Sequence, residues 1–326
     1  ILQGVKALAS LQTEVIYAKG CGIRDKSKEG FKEAIDAAKE ADVAIVVLGG
    51  SSARDFNTVF DINGAAIVGG DPSEMDCGEG VDVADLELGG VQVELLKEIK
   101  NTGTPVVVVL IQGRPHAIPW IAENCKAILC GWYPGTEGGK AIAEVLFGDY
   151  NPSGKLSVSI PRSSAQLPVY YNHKDLGSEN SYVDMEATPL YYFGHGLSYT
   201  EFKYSGLEVL DKSLSVKDIE EGKNIRVKVT VENSGNVAGE EVVQLYIKDQ
   251  EASVTRRIKE LKRFKKIFLN PGEKKEVVFS LGKEELGLWN RDMEFCVEPG
   301  NIKVFIGGSS KDNIETIFKI HADKNV

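Results

Sequence analysis

Several things are scarce in these 326 residues, and each scarcity removes a class of function. No stretch of eighteen consecutive apolar residues exists to cross a bilayer, and no membrane partner is expected. The five cysteines, Cys21, Cys77, Cys125, Cys130 and Cys296, are odd in number and contain no C-x-x-C pair, which argues against a disulfide framework and against a thiolate zinc site. Read as free thiols, they suit a reducing compartment, so a cytoplasmic location is favoured over a secreted one. The four histidines, His116, His173, His195 and His321, lie far apart without an H-E-x-x-H spacing, so no metal is assigned. Gly20-Cys21-Gly22 is followed by Asp25 where a dinucleotide fingerprint wants its third glycine, and no phosphate loop is found, so no nucleotide cofactor is expected. Positive charge is also short. The formal charge is −10, no Lys/Arg cluster with interleaved aromatics is expected to offset it, and nucleic acid is excluded as a partner. The first residues carry neither an initiator Met nor a basic or apolar leader, which leads to the expectation that the natural N-terminus lies upstream.

What is present is ordinary globular composition, 42% hydrophobic and 26% charged, in a chain longer than one core usually fills. The first half alternates short β-branched runs with helical patterns. Strands are expected at 15–17, 43–48, 106–111 and 127–130, and helices at 31–41, 91–100, 118–123 and 139–147. This is an α/β domain with a mostly parallel sheet sandwiched by helices. After residue 202 the period drops to two, with strands at 225–231, 241–247, 277–281 and 302–306 separated by Asn-Ser-Gly, Asn-Pro-Gly and Glu-Pro-Gly turns. That pattern predicts an all-β sandwich of the immunoglobulin or fibronectin III kind. The expected division is an α/β domain at 1–160, an ordered connector rich in Tyr, Pro and Gly at 161–201, whose aromatics need a surface to pack on, and the sandwich at 202–326.

Between the 43–48 strand and the next helix runs a long segment, 49–90, rich in Gly, Ser and Asp. Loops at the C-terminal ends of parallel strands are where open α/β sheets hold their chemistry. Within it, Cys77-Gly78-Glu79-Gly80-Val81-Asp82 sets a carboxylate between two glycines, which let the backbone come close to a ligand and leave the carboxyl projecting. Most loop carboxylates are merely solvated acids, and the local spacing leaves both readings open. Ser51 to Phe56 follows the strand directly. Arg54 could donate to hydroxyls and Phe56 or Phe60 could stack on a ring, while strand-end polar residues beside a packed aromatic would look the same.

Longer stretches are more specific. Glu79-Gly80-Val81-Asp82 through Leu86-Glu87-Leu88-Gly89-Gly90-Val91-Gln92 resembles the segment "E-G-x-D-R-x-x-L-x-L-P-G-x-Q" of glycoside hydrolase family 3. Gly113-Arg114-Pro115 after an apolar strand, Trp132-Tyr133-Pro134-Gly135 with Gly138-Gly139, the run from Ala143 to Leu156, and Tyr192-Phe193-Gly194-His195-Gly196-Leu197-Ser198-Tyr199-Thr200 resemble further family segments in the same order. Gly239-Glu240-Glu241-Val242-Val243-Gln244-Leu245-Tyr246 and Leu269-Asn270-Pro271-Gly272-Glu273 extend the likeness into the sandwich.

The resemblance implies hydrolysis of terminal β-linked glucosyl or xylosyl residues with retention of configuration. It also implies a division of labour. An Asp nucleophile would stand on an N-terminal (β/α)8 barrel that this chain does not contain, and the α/β domain would supply the acid/base, on Glu79. In retaining chemistry the two carboxyls stand roughly 5 to 5.5 Å apart across the glycosidic bond. Glu74 is the second choice if the loop alignment slips, and Asp76 and Asp82 are read as loop hydrogen-bonders. Val83 stands where the family usually has Arg, and Gly89 where it usually has Pro, so an ion pair and a rigid turn are absent. Trp132 and Tyr133 are expected in the domain core or an interdomain seam rather than on sugar. The partners implied are a β-linked glycoside or oligosaccharide and the barrel; a homo-oligomer stays open. The competing reading is a non-catalytic carbohydrate-binding or scaffolding fragment.

Overall fold

In the computed structural model, residues 1–53, 59–64, 67, 74–78, 80–174 and 182–323 are described. Contacts group the chain into two compact units, Ile1–Tyr150 with Ile160–Leu167, and Asn151–Ser159 with Pro168–Val326.

The first unit is built on strands β1 (Ala44–Gly49), β2 (Val106–Ile111) and β3 (Ala127–Cys130), parallel and in the order β1-β2-β3. Helices α1 (Leu2–Leu8), α2 (Phe31–Glu40), α3 (Gln92–Asn101), α4 (Pro119–Asn124) and α5 (Gly138–Phe147) complete it. Successive residues of a strand point to opposite faces, yet Val108 and Val109 are both 0% exposed, so β2 is covered on both sides. That is why its sequence reads Val-Val-Val-Val-Leu-Ile without alternation. Pro119 opens α4, where a missing amide costs nothing, and α5 stops at Gly148 in a left-handed conformation.

The strand expected at 15–17 does not form. Those residues form no ladder with any of the described residues, and Ile16 and Tyr17 are 43% and 58% exposed. Three β-branched or aromatic residues state a preference, but a strand exists only where another supplies its ladder.

The second unit is an antiparallel sandwich, as the period of two predicts. One sheet runs β12-β11-β6-β7 and the other β4-β5-β8, from β4 (Phe202–Val209), β5 (Ile225–Asn233), β6 (Gly239–Asp249), β7 (Glu260–Leu269), β8 (Lys274–Leu281), β11 (Gly300–Gly307) and β12 (Asn313–Ile320); a short pair, β9 (Leu288–Trp289) and β10 (Phe295–Cys296), lies apart. Strictly alternate residues of β5, Val227, Val229 and Val231, fill the core against Val243, Leu245, Val304 and Ile306. β6 is buried on its other face too. There Tyr171 stacks on Phe193 at 4.1 Å, and both meet Tyr246 edge-on, so the connector's aromatics find their surface on the sandwich.

β7 corrects the reading of charge. It carries Lys262, Arg263, Lys265 and Lys266 around Phe264 and Phe268, which are 67% and 51% exposed. A basic cluster with interleaved aromatics is therefore present. Three of its cations are already paired within the unit, Lys262 with Glu260, Arg263 with Glu285 and Lys266 with Glu240. Lysines on a sheet's outermost strand are a common guard against edge pairing.

Candidate active site

The long segment leaves β1 through a backbone that admits no side chain. Gly49 has φ 140°, and a Cβ there would come 1.8 Å from the Ile111 carbonyl oxygen. The Gly50 amide donates to that same oxygen (2.9 Å). Gln92, at the first turn of α3, holds Gly49 from the other direction: Oε1 accepts from the Gly49 amide (2.8 Å) and Nε2 donates to the Gly49 and Ile23 carbonyls (2.9 Å each). The segment thus departs from and returns to one buried amide. Gln92→Ala leaves the polar groups of Gly49 buried without partners and is expected to destabilise the α/β unit by about 1–3 kcal/mol, measurable as a lower urea midpoint.

Further along, Asp76 is buried, and its Oδ1 accepts from the Ser51 amide (2.9 Å) while its own amide donates to the Ser51 carbonyl (2.9 Å). A Cβ on Gly50 would meet the Asp76 carboxylate at 2.3 Å, which explains the glycine there. The Val81 amide then donates to the Gly78 carbonyl (3.2 Å), closing a tight turn with Gly78 at φ 127° and Gly80 at φ 74°. Non-glycine residues rarely take those values.

Arg114, three residues beyond β2 in Gly113-Arg114-Pro115, reaches both flanks of that turn. Its Nη2 donates to the Asp76 carbonyl (2.9 Å) and its Nη1 pairs with the Asp82 carboxylate. The Arg114 hydrogen bond, with a second from the Val83 amide, holds the Asp82 carboxyl below the usual aspartate range. Cys77 Sγ lies 3.0 Å from the Tyr133 hydroxyl, and the Tyr133 ring covers Gly113. Burial, followed by the neighbouring Cys77, pushes the Tyr133 phenol up. His116 is buried with Nδ1 3.0 Å from the Leu86 carbonyl, and burial lowers its pKa, favouring the neutral ring.

The sequence-predicted residues are distributed unevenly. Glu79, Arg54 and Phe56 lie outside the described residues. Glu74, the second choice for the acid/base, is exposed, and its Oε2 accepts from the Ile23 amide (2.8 Å), fastening the loop to the 21–25 segment. Asp76 and Asp82 anchor the turn. Phe60 is exposed, as are Val59, Ile62 and Ile67, with the Ile67 amide donating to the Val59 carbonyl (2.8 Å). Tyr133 is 46% exposed, outside the core of its unit, and Trp132 is half-buried at φ 48°. Sequence reasoning passed over Arg114 and Gln92. Both stood inside quoted motifs, but the partners that tie them to the site, Asp76, Asp82, Gly49 and Ile23, are 32 to 69 residues away along the chain. Among the described residues, no group of three or more His, Cys, Asp and Glu is placed to hold a metal, and no helix is long and apolar enough to cross a membrane.

Residues 1–199 match the glycosyl hydrolase family 3 C-terminal domain, and residues 241–310 match a fibronectin type III-like domain. The chain belongs to glycoside hydrolase family 3. It is 45% identical to a beta-xylosidase of Formosa agariphila over 97% of its own length and 37% identical to a periplasmic beta-glucosidase of Salmonella typhimurium over 95%. It spans 41% of the length of each of these relatives. Among solved structures, a β-glucosidase from Erythrobacter marinus superposes with a TM-score of 0.84 at 39% identity, over 98% of this chain and 43% of that one. The β-glucosidase of Listeria innocua in complex with glucose does so at 0.79 and 34%, over 92% and 39%.

Proposed function

We propose that this chain is the C-terminal part of a retaining, exo-acting β-glycosidase that removes terminal β-D-glucosyl or β-D-xylosyl residues, with Glu79 as general acid/base. The observation that carries the reading is the turn from Gly78 to Val81, fixed at the C-terminal end of a parallel sheet and bearing the family's Glu-Gly-x-Asp wording. In this reading a (β/α)8 barrel outside the chain provides the Asp nucleophile. That carboxylate attacks the anomeric carbon while Glu79 protonates the departing oxygen; Glu79 then takes a proton from water as the glycosyl-enzyme is hydrolysed. An exposed glutamic acid near 4.3 would be mostly ionised at working pH, so docking on the barrel raises its pKa by desolvation and by the nucleophile's charge. Arg54 and Phe56 contact the leaving-group side of the substrate.

In the full-length gene product, a 2-deoxy-2-fluoro glycoside with an activated leaving group should trap the covalent intermediate. Peptide mapping is expected to place the label on an aspartate outside residues 1–326. A label within this chain would overturn the division of labour and make room for a different assignment of both carboxylates.

A further inference from the structure

Resting on the proposed role of Glu79, we infer that Arg114 is a positioning residue for the acid/base: a two-point strap that fixes the direction in which the Gly78–Val81 turn presents its carboxyl. A guanidinium is a planar fork of fixed geometry, and here its two ends serve two different chain positions, the carbonyl of residue 76 and the carboxylate of residue 82. Those positions bracket the turn. Its glycines at 78 and 80 give the backbone the freedom to take φ 127° and 74°, and the same freedom would let the turn wander. Holding a residue in one backbone well costs about 1–2 kcal/mol, so a short glycine-bearing loop stays in one orientation only if something outside it supplies the restraint.

The two sides of the turn are held differently. Before it, the Asp76 carboxylate is bonded to the Ser51 amide, two residues past β1, and Cys77 to the Tyr133 hydroxyl, three residues past β3. After it, Asp82 is held by Arg114, whose side chain is largely buried while that of Asp82 is 81% exposed. An ion pair so open to water contributes little to stability. Its effect is on direction: because Arg114 follows β2 by three residues, the turn is referenced to the segment leaving the sheet rather than to the rest of the long loop. Displacing a catalytic group by about 1 Å costs about 10²-fold in rate, far more than the strap contributes to folding.

The test has two arms. In this chain alone, Arg114→Gln should speed hydrogen exchange at the Val81 amide by about tenfold, the scale of one lost hydrogen bond; unchanged exchange there would overturn the strap. In the full-length gene product, Arg114→Gln should lower kcat/KM by about 10²-fold on glycosides with poor leaving groups and leave activated aryl glycosides almost unaffected. Arg114→Lys keeps the charge without the fork and should fall between. Azide should accelerate Glu79→Ala and not Arg114→Gln, because in the latter the carboxylate is still in place. If Glu79→Ala shows the leaving-group split and Arg114→Gln does not, the strap is refuted and the role of Glu79 stands; if Glu79→Ala shows none, the role of Glu79 fails and the exchange arm still judges the strap. Should Arg114→Gln not fold, Asp82→Asn removes the exposed end alone, and a loss on poor leaving groups that is absent there would equally refute the inference.

Discussion

Glu79→Ala in the full-length gene product is expected to lower kcat/KM on glycosides with poor leaving groups by about 10²–10⁴-fold, the span of a general acid, while glycosides with strongly acidic leaving groups lose far less in the glycosylation step. The reason is the charge on the departing oxygen. An alkoxide or sugar oxygen leaves only as it is protonated, whereas a nitrophenolate leaves unaided, so the loss should scale with leaving-group basicity. Deglycosylation loses its base as well, and added azide, a small anion able to enter the vacated space and attack the glycosyl-enzyme directly, should restore part of the turnover. The alkaline limb of the pH profile, which reports the acid, should vanish with the side chain. Equal losses on both substrate classes would point away from proton transfer at this position.

Lys155→Met is expected to cost about 3–5 kcal/mol of stability in the second unit, the range for removing one member of a buried pair. Lys155 Nζ lies 3.3 Å from Glu241 Oε2 and donates to the Gly196 carbonyl (2.8 Å), and the Tyr204 hydroxyl donates to Glu241 Oε1 (3.0 Å). Glu241 is buried, and burial already raises its carboxyl above the ordinary range in spite of the lysine. Without the ammonium that rise grows. A carboxyl whose folded value exceeds its unfolded one keeps its full contribution below the unfolded value, near 4.3, and loses it as pH rises through the folded value. The deficit of Lys155→Met should therefore be largest near neutrality and shrink on acidification. Replacing Glu241 by Gln in the same chain should recover part of it, because the stranded charge is gone. Urea midpoints across pH read all three. A deficit below about 1 kcal/mol that does not change with pH would show the pair to be replaceable by water.

Local pattern was enough for most of the architecture. The unbroken apolar run of β2 announced a strand covered on both faces, and the alternation in β5 announced a sheet with one dry side, because periods of one strand depend only on its own residues. The equally apolar run of β1 overstated its burial, for Val47 is 46% exposed. The 15–17 run failed since pairing is a property of two segments. Charge was misread for a related reason: a net value of −10 averages over the chain, and the basic strand β7 disappears in the sum although its residues are consecutive. At the candidate site the glutamate's place came from family wording rather than from its two glycines, which any tight turn could carry. The restraints around it, Arg114 across to Asp76 and Asp82, Gln92 across to Gly49, and Tyr133 across to Cys77, bridge 32 to 56 residues and have no periodic trace. Of the two places expected for Tyr133, a core or a seam, the core is excluded by its 46% exposure, and its hydroxyl lies against Cys77 of the long segment.

Gln92 fastens both polar groups of Gly49, so the two ends of the 49–90 excursion are buttoned to each other at the sheet. Length changes between these two ends cost little closure entropy at the sheet, while Asp76 and Asp82 keep the 78–81 turn tied to Ser51 and Arg114. A lineage carrying this fastening can therefore vary the length of the excursion upstream of Glu74 while inheriting both the sheet and the anchors of the turn.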